Sequence, residues 1–302
     1  MAHELIYTSA ERGLRTGTRG FCTVAHTRGM SPQSIQLLEA LSAYKGVRNA
    51  IDGISDIQEP VSWSHLNSNL VGHGSSIISR IGATYPDHTG RSNKLAHHVI
   101  IQARERAEGG PAWLCQQPGF LLDEWSDAPH IIEEPKSIPQ GNSTVAVARN
   151  WEELTGDAAN AAILAEMYLA NPDSIVLIVF SPGMELLPLI AESLALLPPA
   201  VRWKVTFNTY FSNLPAGSSC CWRGCLPNSE AFRDGRRNPR ARILDLTGGE
   251  LKTPSGEMAE IARTGKLPEK KLVVTAKEPK GKIVMTENRN VNMLTLKPRR
   301  NS

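Results

Sequence analysis

The chain lacks an apolar run long enough to cross a bilayer. Its most apolar stretch, residues 175–180, is only a strand's length, and the next is broken by Glu185, Pro188, Glu192 and Pro198. The opening residues carry Glu4 and Glu11 and no apolar block of the size a secretory leader needs. Cysteine is scarce as well. Its five residues, odd in number and irregularly spaced, suit free thiols in a reducing compartment better than a disulfide framework. A cytoplasmic location is therefore expected. Nucleotide signatures are missing too: neither Gly-x-Gly-x-x-Gly nor the phosphate-cradling Gly-rich loop ending in Gly-Lys-Ser/Thr occurs, which argues against a GTPase, an ATPase or a dinucleotide enzyme. No cofactor is implied.

What the chain does contain fits a globular protein. Across 302 residues, 41% are hydrophobic and 21% charged, a balance that argues against disorder, coiled coil or collagen as a whole-chain class. The length predicts two cores. Charge is unevenly spread: residues 252–302 hold twelve Lys or Arg against five Asp or Glu, whereas residues 1–251 hold 21 against 25. An acidic body speaks against a nucleic-acid-binding core and leaves the basic tail to meet an acidic partner, RNA or an anionic membrane.

The order of elements predicts an α+β fold with three parts: a strand- and hairpin-rich N-terminal domain over 1–140, an α/β middle domain over 141–250, and a largely disordered basic tail over 251–302. Two β-rich runs, at 4–8 and 20–27, flank a loop with Gly13, Gly17 and Gly20. Ser31-Pro32 starts a helix whose stripe of Ile35, Leu38 and Leu41 extends through Tyr44 to Gly46. Residues 75–102 read as a hairpin turning at 86–90. Its second arm puts Leu95, His97, Val99 and Ile101 on one face and Ala96, His98 and Ile100 on the other. A short helix near 112–116 and a linker loop over 117–142 close the domain. In the middle domain, a helix over 157–170 precedes a βαβ unit. That unit consists of a doubly buried strand over 174–180, a helix capped by Ser181-Pro182 and an alternating strand over 203–211. Short strands at 219–223 and 242–246 extend its sheet. Beyond Leu251 no helical stripe is visible, although Leu272-Val-Val274 and Ile283-Val-Met285 are β-prone islands.

Four groups of residues carry candidate chemistry. The hairpin tip holds Asp87, His88 and Arg91, with His97 and His98 behind it, a set from which phosphate binding, metal binding or acid–base work could be built. Adjacent strand histidines point to opposite faces, so at most one can serve such a site, and a core position is expected for His97. The turn containing Ser181 and Gly183 aims backbone amides where an anion could bind. Cys220, Cys221 and Cys225 resemble part of a zinc site but lack a second ligand pair, and buried thiols are expected. Arg12, Arg15 and Arg19, interleaved with glycines, form a cationic loop suited to a phosphate or an acidic partner surface.

Several segments together resemble a known family. His3-Glu-Leu-Ile-Tyr-Thr-Ser9 with Arg12-Gly-Leu14, Gly20-Phe-Cys-Thr-Val24, Thr27-Arg-Gly-Met30, and Gly90-Arg-Ser92 with Ala96-His-His-Val99 are similar to the second type of N-terminal domain in the bacterial GTPase-associated protein family. Between about 173 and 222, Phe180-Ser-Pro182, Thr206-Phe207, Thr209-Tyr-Phe211, Leu214-Pro215 and Trp222 resemble that family's middle domain. The resemblance covers most of residues 1–250 and none of the tail. It implies an adaptor-like component encoded alongside GTPases in bacterial NTP-dependent conflict systems, with no catalytic residue set. The expected partner is a GTPase or GTPase-linked effector, and the expected partner-binding residues are Arg12, Arg15 and Arg19. The rival is a phosphoester or nucleotide hydrolase working through Asp87, Arg91 and His97 or His98.

Overall fold

A computed structural model describes residues 2–43, 46 and 59–268. The chain first forms β1 (His3–Ala10), β2 (Gly20–Thr27), α1 (Pro32–Leu41), β3 (Ser62–Ser68), β4 (Ser76–Thr84), β5 (Asn93–Ile101), α2 (Pro111–Cys115) and β6 (His130–Ile132). There follow α3 (Arg149–Thr155), α4 (Ala162–Ala170), β7 (Ile175–Val179), α5 (Leu186–Ala195), α6 (Pro199–Arg202) and β8 (Phe207–Asn208). The described chain ends with β9 (Ser218–Ser219), β10 (Trp222–Cys225), α7 (Glu230–Arg236), β11 (Ala241–Asp245) and α8 (Glu257–Thr264).

Local chemistry sets many of these boundaries. The Ser31 hydroxyl accepts from Ser34 N–H and Pro32 opens α1, so the cap and the proline act together. Between β4 and β5 the chain reverses at Asp87–Arg91, where Asp87 N–H donates to Arg91 O and Gly90 takes the positive φ the turn needs. Apolar β7 lies between β11 and β10, which explains why polar residues are missing from both its faces.

The strands make one mixed sheet in the order β11-β7-β10-β8-β3-β4-β5-β1-β2-β6, with β9 paired to β3. Strands β11, β7, β10 and β8 run parallel, and β3, β4, β5, β1 and β2 pair antiparallel in turn, so the architecture is α+β as expected. The α5–α6 segment crosses from β7 to parallel β8, with β10 between them, which is the expected strand–helix–strand logic. At 224 only glycine fits, because a Cβ there would overlap the Thr209 carbonyl oxygen.

The largest of several apolar clusters spans both expected domains. It joins Ile78, Val99 and Ile101 of the hairpin to Trp151, Val176, Ile190, Trp203 and Phe207, and residues 2–268 form a single compact unit. The stretch 117–142 is not a linker either: β6 pairs with β2, Lys136 N–H donates to Ala2 O, and Leu122 N–H reaches His97. Three further expectations need correction. Ser181-Pro182 does not cap a helix. Residues 181–184 form a turn closed by Met184 N–H to Ser181 O, and α5 begins five residues later at Leu186. The alternation over 203–211 is only briefly a strand, since Trp203 caps α6 and β8 has two residues. Residues beyond 251 contain α8, docked through buried Ala259 and Ala262, with Ala148 N–H donating to Ala262 O and Arg263 bonded to Asp157. Tyr44, the β-prone islands and most of the basic tail lie outside the described residues.

Candidate functional site

The arginine loop and the hairpin tip lie at the same end of the sheet. Strand β1 leads into the loop and lies beside β5, so Ser9 reaches both neighbours: its N–H donates to Asn93 Oδ1 at 3.1 Å and its hydroxyl to Asp87 Oδ2 at 3.1 Å. The loop is folded on itself, with Gly13 N–H on Thr18 O, Leu14 N–H on Thr23 O and Thr18 N–H on Arg15 O. Arg12, Arg15 and Arg19 are all exposed. Beside them Phe21 is 47% exposed, stacked on Tyr7 and covered by the Lys94 ammonium 5.2 Å from its ring.

Asp87 serves this tip as an acceptor. Its Oδ1 takes Thr89 N–H, the Thr89 hydroxyl and Arg91 N–H, and these bonds, the Thr89 hydroxyl's first, hold its carboxyl well below the usual range. Arg91 Nε donates to Thr89 Oγ1, so the guanidinium is tied to the turn.

His97 and His98 are fully buried and turn to opposite faces, as strand alternation requires. Leu122 N–H donates to His97 Nδ1, which fixes the proton on Nε2 and aims it at Glu4 Oε2, 2.8 Å away. Burial lowers the His97 pKa against the opposing pull of Glu4, so the ring is neutral. Burial alone would raise Glu4, but bonds from His97 and Lys136 outweigh it and hold the carboxyl below its usual range. His98 sits between two hydroxyls, Ser42 and Ser79, at 2.9 and 2.7 Å. The Ser42 hydroxyl proton goes to Leu38 O, so Nε2 donates to Ser42 and Nδ1 accepts from Ser79. Burial pushes His98 down to about 3. The four residues of the hydrolase reading are therefore not brought together. His97 is four residues from Asn93 along β5, about 13 Å at strand rise, and its partners differ from those of Asp87.

Gly183 lies on the wall of a cavity of about 510 Å³, which opens beyond the carboxyl ends of β7 and β8. Arg80 enters it above the Trp63 ring at 5.4 Å, and Asp123, Glu59 and Glu185 share the lining. The turn at Ser181 thus faces more carboxylates than cations and has no helix starting within it. The three cysteines donate to different carbonyls, Cys220 to Trp222, Cys221 to Thr206 and Cys225 to Arg223. Burial raises all three thiols, Cys225 to about 12.

Residues 1–140 match the family model described as GTPase-associated protein 1, N-terminal domain type 2, and residues 149–248 match that of the GTPase-associated protein 1 middle domain. The chain belongs to the GTPase-associated protein 1 family. No curated protein and no solved structure matches it. In this member of the GTPase-associated protein 1 family, the N-terminal segment carries the arginine end and the buried histidines, and the middle segment carries the turn at Ser181 and the cysteines. Side chains bind the two segments together: His65 Nδ1–H donates to Val205 O at 2.7 Å, and Trp203 Nε1–H to Ala107 O at 2.7 Å. Arg202 reaches the carbonyls of Glu108, Ser143, Ala195 and Leu197.

The sequence reading missed a second cationic surface in the middle segment. Arg233, Arg236, Arg237 and Arg240 are all exposed on and just after α7. Their signal was present as a run of arginines but was cancelled by acidic residues elsewhere when charge was summed over residues 1–251.

Proposed function

We propose that this protein is a non-enzymatic adaptor or regulator that binds a GTPase in a bacterial NTP-dependent conflict or signalling system. On this reading the partner seats on the end of the sheet that carries both the Arg12, Arg15 and Arg19 loop and the Asp87–Arg91 tip. The observation that carries it is the Ser9 bridge. Ser9, just before the arginine loop, is bonded to Asp87 and Asn93 and so ties the strand end that carries the loop to the hairpin, and family membership supports a GTPase as the partner. Exposed arginines beside an aromatic ring suit an acidic face and speed encounter with it. The groups a hydrolase would need support the same reading, since each histidine is buried and neutral and Asp87 is occupied within its turn.

The test is affinity capture by the tagged full chain from its native host, with and without a GTP analogue. A GTPase should be recovered, and replacing Arg12, Arg15 and Arg19 with alanine should reduce its recovery at least tenfold without shifting the thermal midpoint. Undiminished recovery would move the interface elsewhere. Turnover of GTP, a phosphodiester or a nucleotide by the purified chain, lost in His97→Ala or His98→Ala, would overturn the adaptor reading.

A further inference from the structure

The face of the sheet covered by α7 presents a different combination of groups. Arg233, Arg236 and Arg237 follow helical spacing on α7 and point away from the sheet, against which Ala231 and Gly235 pack. Arg240 follows in the turn to β11, also exposed. Among the described residues only Arg237 of these four has a carboxylate partner, Asp234, at 2.9 Å. Register separates them from Arg242, which pairs with Val176 and so lies on the opposite face, whereas Arg223 pairs with Leu177 on the α7 face.

Beside α7 is a cavity of about 250 Å³ whose walls include Phe211, Asn213, Arg223, Asp234 and Asn238. The Arg223 guanidinium carbon lies 4.6 Å from the Phe211 ring centroid, and its Nε donates to Cys220 O, so the group is held as a fixed platform at the wall. The amides and the carboxylate supply both donors and acceptors, which suits the edge of a heterocyclic base. Arginines serve protein interfaces as well, so the choice of nucleic acid rests on the cavity, whose planar platform and paired donors and acceptors fit a base, together with the strongly positive rim. The surface here is arginine-rich, and among the described residues Ile243 is its one large exposed apolar residue.

We propose that this face binds single-stranded nucleic acid, with Arg233, Arg236, Arg237 and Arg240 carrying the phosphate backbone and the cavity beside Arg223 receiving one unstacked base. A base within a duplex is paired and stacked and cannot enter, so the strand must be single. This site stands apart from the partner surface at the other end of the sheet and does not rest on it.

Fluorescence anisotropy on the full chain tests the assignment, using twelve-residue oligouridylate and oligothymidylate, an abasic strand, a duplex and polyglutamate as probes. A single strand should bind, with affinity falling steeply as salt rises. Replacing Arg233, Arg236 and Arg240 with alanine should weaken it at least tenfold and reduce the salt slope by about 2, given about 0.7 for each lost phosphate contact on a single strand. The variant's thermal midpoint should match the parent's, since all three side chains are exposed. Arg223→Lys, which keeps charge and removes the planar platform, should weaken the oligonucleotide severalfold and leave the abasic strand unchanged. Undiminished binding by the triple variant would overturn the site and assign any binding to the tail. So would failure of both single strands to bind, equal affinity for the duplex, or polyglutamate binding equally well and being lost in the same variant.

Discussion

Glu4 and His97, 93 residues apart, share a hydrogen bond of 2.8 Å inside the sheet, and the proton in it belongs to the histidine. Both nitrogens of the ring are engaged, one by a carboxylate and one by the Leu122 amide. His97→Ala should lower stability by about 1–3 kcal/mol, the cost of leaving a backbone N–H and part of a carboxylate unsatisfied. His98→Ala should cost less, because the Ser42 and Ser79 hydroxyls it frees can rotate to other acceptors. Urea midpoints of the two variants check the order, and a larger loss at His98 would reverse it.

Stability should depend on acid. His65 and His98 are each pushed down to about 3 by burial, and His97 is lowered by burial too, against the pull of Glu4. Their folded pKa values lie below the unfolded value near 6.5, so the unfolded chain binds more protons as pH drops. The stability they confer is complete above about pH 6.5 and is lost progressively toward pH 3, with a slope of up to about 1.4 kcal/mol per pH unit for each ring. Thermal midpoints measured from pH 7.5 to 4.5 should fall. His98→Gln should flatten that fall, and an equally steep profile in the variant would remove His98 from its cause.

The chain should tolerate an end at Pro268 but not at Leu251. Losing α8 uncovers Ala159 and Ala162, removes the partner of Ala148 N–H and breaks the Arg263–Asp157 contact. A midpoint drop of about 5 °C or more is expected for the shorter chain, at roughly 2–4 °C per kcal/mol for a domain of this size. Equal midpoints for the two chains would mean that α8 adds nothing to the core.

Asp87→Ala should loosen the tip and spare the rest. Amide exchange at Thr89 and Arg91 should rise about tenfold or more, because both N–H groups lose the same oxygen, while the global midpoint barely moves. Asp87→Asn keeps an acceptor at that position and should fall between. Unchanged exchange in the alanine variant would show that the turn holds without the carboxylate.

Much of the fold was legible because its signals are local. Ser31-Pro32, the turn at 86–90 and the unbroken apolar β7 each announce an element within a few residues. The run 203–211 misled because alternation records burial, and Trp203 and Val205 achieve burial from a helix end and a turn, without a strand. Helix α8 escaped notice since its buried residues are alanines, although Gly256 and Gly265 bracket it and Gly265 has the positive φ of a helix stop. The arginine loop was named from sequence. The bond from Ser9, just before it, to the hairpin tip was not, because it joins residues 78 positions apart.

The pairing of β3 with β8 carries a mechanical meaning. Those strands belong to the two family segments, yet they are neighbours in one sheet, and Arg202 and Trp203 are bonded to carbonyls on the far side of the junction. The boundary near residue 140 separates two family matches, and the sheet runs across it. A protein seated at the arginine end, as proposed, would act on a single lever: it could orient or shield the middle segment as a whole, but swinging that segment aside would require breaking the sheet.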